Sequence, residues 1–240
     1  MSEQQASFKL GLIVGIAFEK LPDWDTGRPI SPEWALTLAH IQYPTGLNHS
    51  VMAVQGKRID DARNEIIEKA IELDVKTVFF LDDDVVIPVN ALLHLYPTLF
   101  SEPKVIAAAG IYPPKRKPTE PMVYRRMCDG PAYDMKFGEV FDVEGAATGC
   151  MLVRTEFFKN IEKPWFKTVK EAGQDGGRIY SKSMTDDLYF CQKAIRAGYK
   201  VKANASILCK HIDAIEHKAY DLSQYLPPKK PAASPSLGES

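Results

Sequence analysis

Several things are scarce in this 240-residue chain, and each scarcity removes a class of protein. There are four cysteines, Cys128, Cys150, Cys191 and Cys209, with no Cys-x-x-Cys spacing among them. Neither a disulfide-framed secreted module nor a zinc ribbon fits that count, and the thiols are expected to be reduced and mostly buried. Charge of one sign is also lacking: a formal net charge of −1 exerts no overall pull toward nucleic acid or an anionic membrane. Long apolar runs are missing too. The longest near the start, Leu10 to Phe18, contains Gly11 and Gly15 and follows no basic region, so it suits neither a secretion signal nor a membrane span. A cytoplasmic location is the expectation. No internal repeat is present. At 45% hydrophobic and 25% charged residues, the chain has apolar mass for one large core.

The most informative stretch runs from Lys76 to Pro88. A β-branched and aromatic run, Thr77-Val78-Phe79-Phe80-Leu81, stops at three adjacent carboxylates, Asp82-Asp83-Asp84. Such a run reads as a strand buried on both faces, which delivers acids to the C-terminal edge of a parallel sheet. Ligands of open α/β sheets bind at that edge. Three neighbouring ionised carboxylates repel, so the cluster either raises a pKa or holds a cation, and hard oxygen ligands beside a phosphate suit Mg²⁺ or Mn²⁺. A polar turn or a helix cap is the simpler reading of the same residues.

Around that stretch the periodicity alternates. Phe8 to Phe18 reads as a first buried strand, followed by a long loop from Glu19 to Ile30. Ser31-Pro32-Glu33 carries a cap, a first-turn proline and an early acid, and starts a helix through about Ile41. Asn48 to Gln55 fits a second strand; Ile59, Ala62, Ile66, Ile67, Ala70 and Leu73 then mark one face of an amphipathic helix. This βαβαβ alternation predicts a Rossmann-like half with right-handed crossovers. Pro88 to Phe100 is expected as a helix and Lys104 to Gly110 as a strand.

Beyond Tyr112 the pattern changes to short strand-like pieces up to Val143, as in a mixed or antiparallel addition to the sheet. Gly145 to Gly149 leads into an apolar strand, Cys150 to Val153, and Thr155 is expected to cap a helix. The small residues permit close approach to a ligand and equally suit a tight turn. Glu171 to Arg178 has the composition of a mobile lid. Ser183 to Asp187 opens a helix ending at Gly198, and Tyr199 to Lys202 and Ser206 to Cys209 read as two short strands before Lys210-His211. The Pro-, Ser- and Gly-rich residues after Leu226 read as a disordered tail.

Four pieces stand in a fixed order: Phe80-Leu81-Asp82-Asp83-Asp84, Gly145 to Val153, Thr185-Asp186-Asp187-Leu188-Tyr189-Phe190-Cys191, and Cys209-Lys210-His211-Ile212. Together they resemble glycosyltransferases of the GT-A fold, in particular compact family 2-like enzymes of bacteria and phages. The resemblance implies an α/β fold, a Rossmann-like three-layer sandwich with a mixed, mainly parallel central sheet. It implies one domain over 1–226, with a nucleotide-binding half at about 8–110, an acceptor half at about 111–226 and a tail at 227–240.

The same resemblance implies function. A nucleoside diphosphate sugar is the donor, and Mn²⁺ or Mg²⁺ is held by Asp82, Asp84 and His211. A metal there neutralises charge growing on the leaving diphosphate. Asp82, Asp83, Arg63 and Gly149 would face the donor. Asp186-Asp187 matches the family's Glu-Asp, which assigns Asp187 as the base that takes the acceptor's proton, with Asp186 beside it and inversion as the expected outcome. Acids in a first helical turn also stabilise the macrodipole without any chemistry. Arg63 either pairs with the diphosphate or is solvated, and Trp165 either stacks an acceptor sugar or packs.

The acceptor stays open: a glycan, a lipid, a small molecule or a modified nucleic acid. Lys115, Arg116 and Lys117 with Arg125 and Arg126 form a basic cluster that would meet DNA, a phosphorylated lipid, or only solvent. Two other classes remain. Nucleotidyl transfer onto a sugar phosphate would need a Gly-rich phosphate loop after the first strand, and none is there. A non-catalytic carbohydrate- or nucleotide-binding module is the other, since fold does not fix function.

Overall fold

The computed structural model describes residues 9–19, 29–175 and 178–227, with backbone alone at Glu19 and at 171–182. Most of the loop expected between Glu19 and Ile30, and nearly all of the expected tail, lie outside the described residues.

The chain begins with β1 (Leu12–Glu19), α1 (Pro32–His40), β2 (His49–Lys57), α2 (Ile59–Glu72) and β3 (Thr77–Leu81). Helix α1 starts where Ser31 Oγ accepts the Glu33 N–H at 3.2 Å and Pro32 takes the first turn, a position where its missing N–H costs nothing. Strands β1, β2 and β3 are mutually parallel in the order β2-β1-β3. This is the expected βαβαβ half.

After β3 come β4 (Val85–Val86), α3 (Ala91–Leu99), β5 (Val105–Ile111), β6 (Val123–Tyr124), β7 (Val140–Val143), β8 (Gly145–Ala146) and β9 (Cys150–Arg154). A 3₁₀ helix (Thr155–Asn160) leads to β10 (Val169–Asp175), β11 (Arg178–Met184), α4 (Asp186–Arg196), β12 (Lys200–Leu208), β13 (Lys210–Asp213) and β14 (Lys218–Tyr220). The central sheet has seven strands in the order β2-β1-β3-β9-β5-β12-β7. Strand β9 is antiparallel to both β3 and β5, β12 is parallel to β5, and β7 opposes β12. The sheet is therefore mixed and mostly parallel.

Alternation along the strands divides the core. Val78 and Phe80 face one side with Ala62, Ile66, Phe190 and Ala194, so α2 and α4 cover that face. Phe79 and Leu81 face the other with Trp34, Leu92 and Leu95, so α1 and α3 cover it. A period of two along β3 and helices on both sides make a three-layer sandwich. Each fully buried Leu or Phe in it contributes about 1.5–3 kcal/mol. Outside the main sheet, β13 pairs with both β14 and β4, placing His211 opposite Val85.

Local differences from the sequence reading have physical causes. Helix α3 begins at Ala91 rather than Pro88, because β4 keeps the chain extended toward its pairing with β13. Thr155 caps no α-helix; it is buried and its hydroxyl donates to the Val75 carbonyl, leaving a 3₁₀ helix behind it. The two short strands expected around 199–209 are one strand, β12. Its polar interior residue Asn204 is buried because Nδ2 donates to Thr98 Oγ1 at 2.8 Å. The segment read as a lid loop is a backbone hairpin, β10 pairing with β11 from Val169–Met184 to Asp175–Arg178. The α4 terminus is as expected: Gly198, at φ 85°, supplies the left-handed residue that ends the helix.

Candidate functional site

Asp82 follows β3 directly, at the sheet's C-terminal edge. Its N–H donates to the Gly149 carbonyl at 3.1 Å, its own carbonyl accepts Trp34 Nε1–H at 2.7 Å, and Val85 N–H closes a turn back onto it at 3.1 Å. The three-aspartate stretch is thus a turn as well as an acid cluster. The turn sends the carboxylates in different directions, so a cluster in sequence becomes separate sites in space.

Asp84 meets His211. The Ile212 N–H donates to the Asp84 carbonyl at 2.7 Å, and His211 Nε2 lies 3.3 Å from Asp84 Oδ2. On the other side of the ring, Nδ1 is 2.9 Å from the Pro113 carbonyl. A carbonyl only accepts, so Nδ1 carries hydrogen and Nε2 is the ring atom turned toward the carboxylate. Lys115 brings a cation to the same carboxylate: its Nζ lies 2.6 Å from Asp84 Oδ2.

Asp82 belongs to a different network, centred on Arg63. Nη2 of Arg63 reaches Asp82 Oδ1 at 2.8 Å and Oδ2 at 3.0 Å, while Nη1 reaches Asp186 Oδ2 at 2.5 Å. The Arg63 side chain is 5% exposed. Burial alone would favour losing its proton, yet the charges of Asp82, Asp186 and Asp187 outweigh that and raise its pKa. Its Nε has no hydrogen-bond partner among the described residues. Arg63 thereby ties the end of β3 to the start of α4 through one buried cation. Neither alternative drawn from the sequence, a solvated arginine or one given over to a ligand, describes this; the side chain lies on the buried face of α2 with Ile66, Ile67 and Ala70.

At the start of α4, Asp186 is buried in that ion pair, whereas Asp187 keeps partial access to solvent. Asp187 Oδ1 accepts the Leu188 N–H at 2.7 Å and the Thr185 hydroxyl. Burial, then the charge of Asp186, raise the Asp187 pKa above its ordinary value, with Thr185 and Arg63 opposing. A carboxyl group so poised takes a proton more readily than a solvated aspartate.

Tyr112 joins these parts. Its hydroxyl oxygen accepts the Gly149 N–H at 2.8 Å, and its pKa is driven well above the usual value by burial and then by the charges of Asp82 and Asp187. Gly149 is glycine because a Cβ there would sit 2.5 Å from the Tyr112 oxygen and 2.7 Å from Asp82 Oδ2. The close approach anticipated at this glycine is to the protein's own tyrosine and carboxylate. Beside it the Thr148 hydroxyl is buried with no hydrogen-bond partner among the described residues.

The structure brings the expected residues together in two groups, Asp84 with His211 and Asp82 with Arg63, Asp186 and Gly149. Asp83 is buried and lines a cavity of about 30 Å³ with Asp84, Lys115 and Asp213. Among the described residues no three His, Cys, Asp or Glu side chains form a metal cage. Asp82 faces Arg63 rather than completing a triad with Asp84 and His211. The remaining pair nevertheless suits a hard divalent ion. Adjacent ligands on an octahedral ion at about 2.1 Å lie roughly 3 Å apart, and such ions take one or two carboxylates plus substrate phosphates rather than a full protein cage. The Nδ1 bond to Pro113 is the kind of outer contact that orients a ligating imidazole.

Other expectations are corrected. Trp165 stacks on nothing from outside: it is 3% exposed, and Nε1 donates to the carbonyls of Ile161 at 2.8 Å and Phe158 at 3.1 Å. Asn64, next to Arg63, pins it there by accepting the Trp165 N–H at 2.9 Å. The basic cluster is broken up by acids. Lys115 turns to Asp84, Arg116 to Glu120, and Arg125 to Asp134 and Glu139 while lying over the Phe141 ring. Cys150, Cys191 and Cys209 are buried as expected, with burial pushing the Cys191 thiol up to about 12, but Cys128 is exposed. Sequence reasoning missed Trp34, Tyr112 and Thr148. It gave Lys115 only a place in a basic loop.

Among solved structures the chain is similar to A197 from STIV, seen in its crystal structure, with a TM-score of 0.59 at 16% sequence identity, over 93% of this chain and 100% of that one. At that identity the likeness is one of fold alone. By sequence, no family model and no curated protein matches. No helix among the described residues is long and apolar enough to cross a membrane.

Proposed function

We propose that this chain is a metal-dependent glycosyltransferase of GT-A type that moves a sugar from a nucleoside diphosphate sugar to a hydroxyl acceptor with inversion. One observation carries the proposal: two residues 127 positions apart in the chain, Asp84 and His211, meet at the C-terminal edge of the sheet with Nε2 and Oδ2 3.3 Å apart. That edge is where open α/β sheets bind ligands. Asp187, whose pKa is raised, belongs to the neighbouring Arg63 network, and its charge and that of Asp84 both act on Tyr112.

In this reading Asp84 and His211 hold Mn²⁺ or Mg²⁺, Pro113 fixing the imidazole that faces the ion. The bound ion supplies Lewis-acid stabilisation to the diphosphate as it leaves. Asp187 accepts the proton of the acceptor hydroxyl as that oxygen attacks the anomeric carbon, the role its raised pKa suits. Asp186 pairs with Arg63, and Arg63 holds Asp82 and α4 in one register. Trp34 anchors the Asp82 carbonyl, so the acid turn does not drift when a ligand arrives.

The test is a panel of nucleoside diphosphate sugars with Mn²⁺, read first as donor hydrolysis and then as mass added to candidate acceptors. Calorimetry with the nucleoside diphosphates alone accompanies it. Donor binding should depend on the divalent ion and be lost with Asp84→Asn and His211→Ala. Equal affinity with Mn²⁺ and with chelator refutes the metal assignment, and absence of any sugar loss across the panel refutes the transferase.

A further inference from the structure

The ammonium group of Lys115 lies 2.6 Å from Asp84 Oδ2, the oxygen that also faces His211 Nε2. From this geometry we infer that Lys115 is an exchangeable counter-ion: it neutralises Asp84 in the metal-free protein, a divalent ion must displace it, and the displaced ammonium then takes part in holding the diphosphate. The inference rests on the metal-dependent reading above and adds to it a residue that sets the order of binding.

Three features support it. Lys115 and the carbonyl that orients His211 come from one short Pro-rich segment, Pro113-Pro114-Lys115, so the same backbone that aims the imidazole also aims the competing cation. The cavity lined by Asp83, Asp84, Lys115 and Asp213 is about 30 Å³. A single water needs roughly 10–15 Å³ of such space, so with the ammonium in place the cavity beside Asp84 has room for about two waters and not for an ion with a full shell of waters. Finally, the Lys115 side chain is 26% exposed against 13% for Asp84, which leaves the ammonium a route to solvent while the carboxylate stays in place.

Displacement has an energetic consequence. Moving the ammonium off Asp84 leaves a lysine and a divalent ion close together, and like charges at that range repel. An anionic diphosphate relieves the repulsion by meeting both. Metal and diphosphate are therefore coupled, each strengthening the other by the same factor. Lys115 is the origin of that coupling, and a neutral side chain in its place removes it.

The experiment titrates the full-length protein with Mn²⁺ alone, and again in saturating inorganic pyrophosphate, by calorimetry. Wild type, Lys115→Met, Lys115→Gln and Lys115→Arg are compared, with circular dichroism to verify folding. Both neutral variants should bind Mn²⁺ alone about tenfold more tightly than wild type, within the ordinary range of coupling between two ligands. Pyrophosphate should enhance their Mn²⁺ affinity about tenfold less than it does in wild type. Lys115→Arg should retain the wild-type pattern. If the neutral variants bind Mn²⁺ no more tightly, or keep the full pyrophosphate enhancement, the exchange is refuted while the metal site stands. If Mn²⁺ binds neither wild type nor variants, the metal site and the exchange both fall.

Discussion

Replacing Arg63 by methionine tests the network that joins the two halves of the site. The perturbation removes one buried cation and leaves the Asp82 and Asp186 carboxylates, formerly 2.8 and 2.5 Å from its nitrogens, with no counter-charge between them. At an effective dielectric near 20, each charge pair at such range is worth about 6 kcal/mol before desolvation. Desolvation offsets much of that gross figure, and breaking a buried pair by removing one partner costs roughly 3–5 kcal/mol in total. At about 2–4 °C per kcal/mol for a domain of this size, melting should fall by roughly 6–20 °C.

The deficit has a pH signature. Folded Arg63→Met protein gains by protonating a carboxylate that the unfolded chain leaves ionised, so the folded state binds more protons than the unfolded one. Stability then declines with rising pH, and the gap to wild type is widest near neutrality and narrows toward pH 5. The assay is urea unfolding of both proteins from pH 5 to 8, together with Arg63→Met/Asp186→Asn, where neutralising one acid should restore part of the loss. A deficit below about 1 kcal/mol, the range of an exposed ion pair, or a larger one that ignores both pH and the second substitution, refutes the buried-bridge argument.

Asp187→Asn keeps the side chain's size and its acceptance from Leu188 N–H while removing proton uptake, so transfer should fall by about two to four decades with nucleotide affinity nearly unchanged. The raised Asp187 pKa puts the acid limb of the kcat/KM profile above the ordinary aspartate value of 3.8. Because folding favours its protonated form, ionised Asp187 subtracts stability above that pH. The asparagine variant should melt no lower than wild type at pH 7, whereas lost stability with normal turnover would make Asp187 a helix-start residue only. Gly149→Ala forces a methyl group against Tyr112 and Asp82 and should cost about 1–3 kcal/mol in denaturant unfolding. Wild-type stability there would mean that the acid turn is slack.

Elements whose burial is written in their own period were legible from the chain alone. The uninterrupted apolar run of β3 could only be a strand covered on both faces, and it is. Ser31-Pro32 starts α1 and Gly198 ends α4 through contacts a few residues apart, which is why local signals sufficed. That β1, β2 and β3 run parallel follows from the helices between them, whereas their order β2-β1-β3 comes from the fold. The pairing of Asp84 with His211 was expected only from a resemblance of motif order, since neither residue carries a local sign of the other. Arg63 was half legible: it sits three and four residues before Ile66 and Ile67, on the stripe that marked the core face, and an arginine on such a stripe requires buried counter-charges.

Tertiary structure decided the rest. Three adjacent aspartates looked like one acid cluster, but a turn closed by Val85 N–H directs Asp82 to Arg63 and Asp84 to His211 and Lys115. Side-chain direction in a turn depends on backbone dihedrals and on distant partners such as Trp34, which composition does not encode. Strand β9 was recognisable as a strand, yet its antiparallel place between β3 and β5 comes from the path of a long connection rather than from its residues. The same holds for Lys115. Its charge was read as part of a basic cluster because Arg116 and Lys117 adjoin it in the chain, and only the fold brings that one ammonium onto a carboxylate 31 residues away.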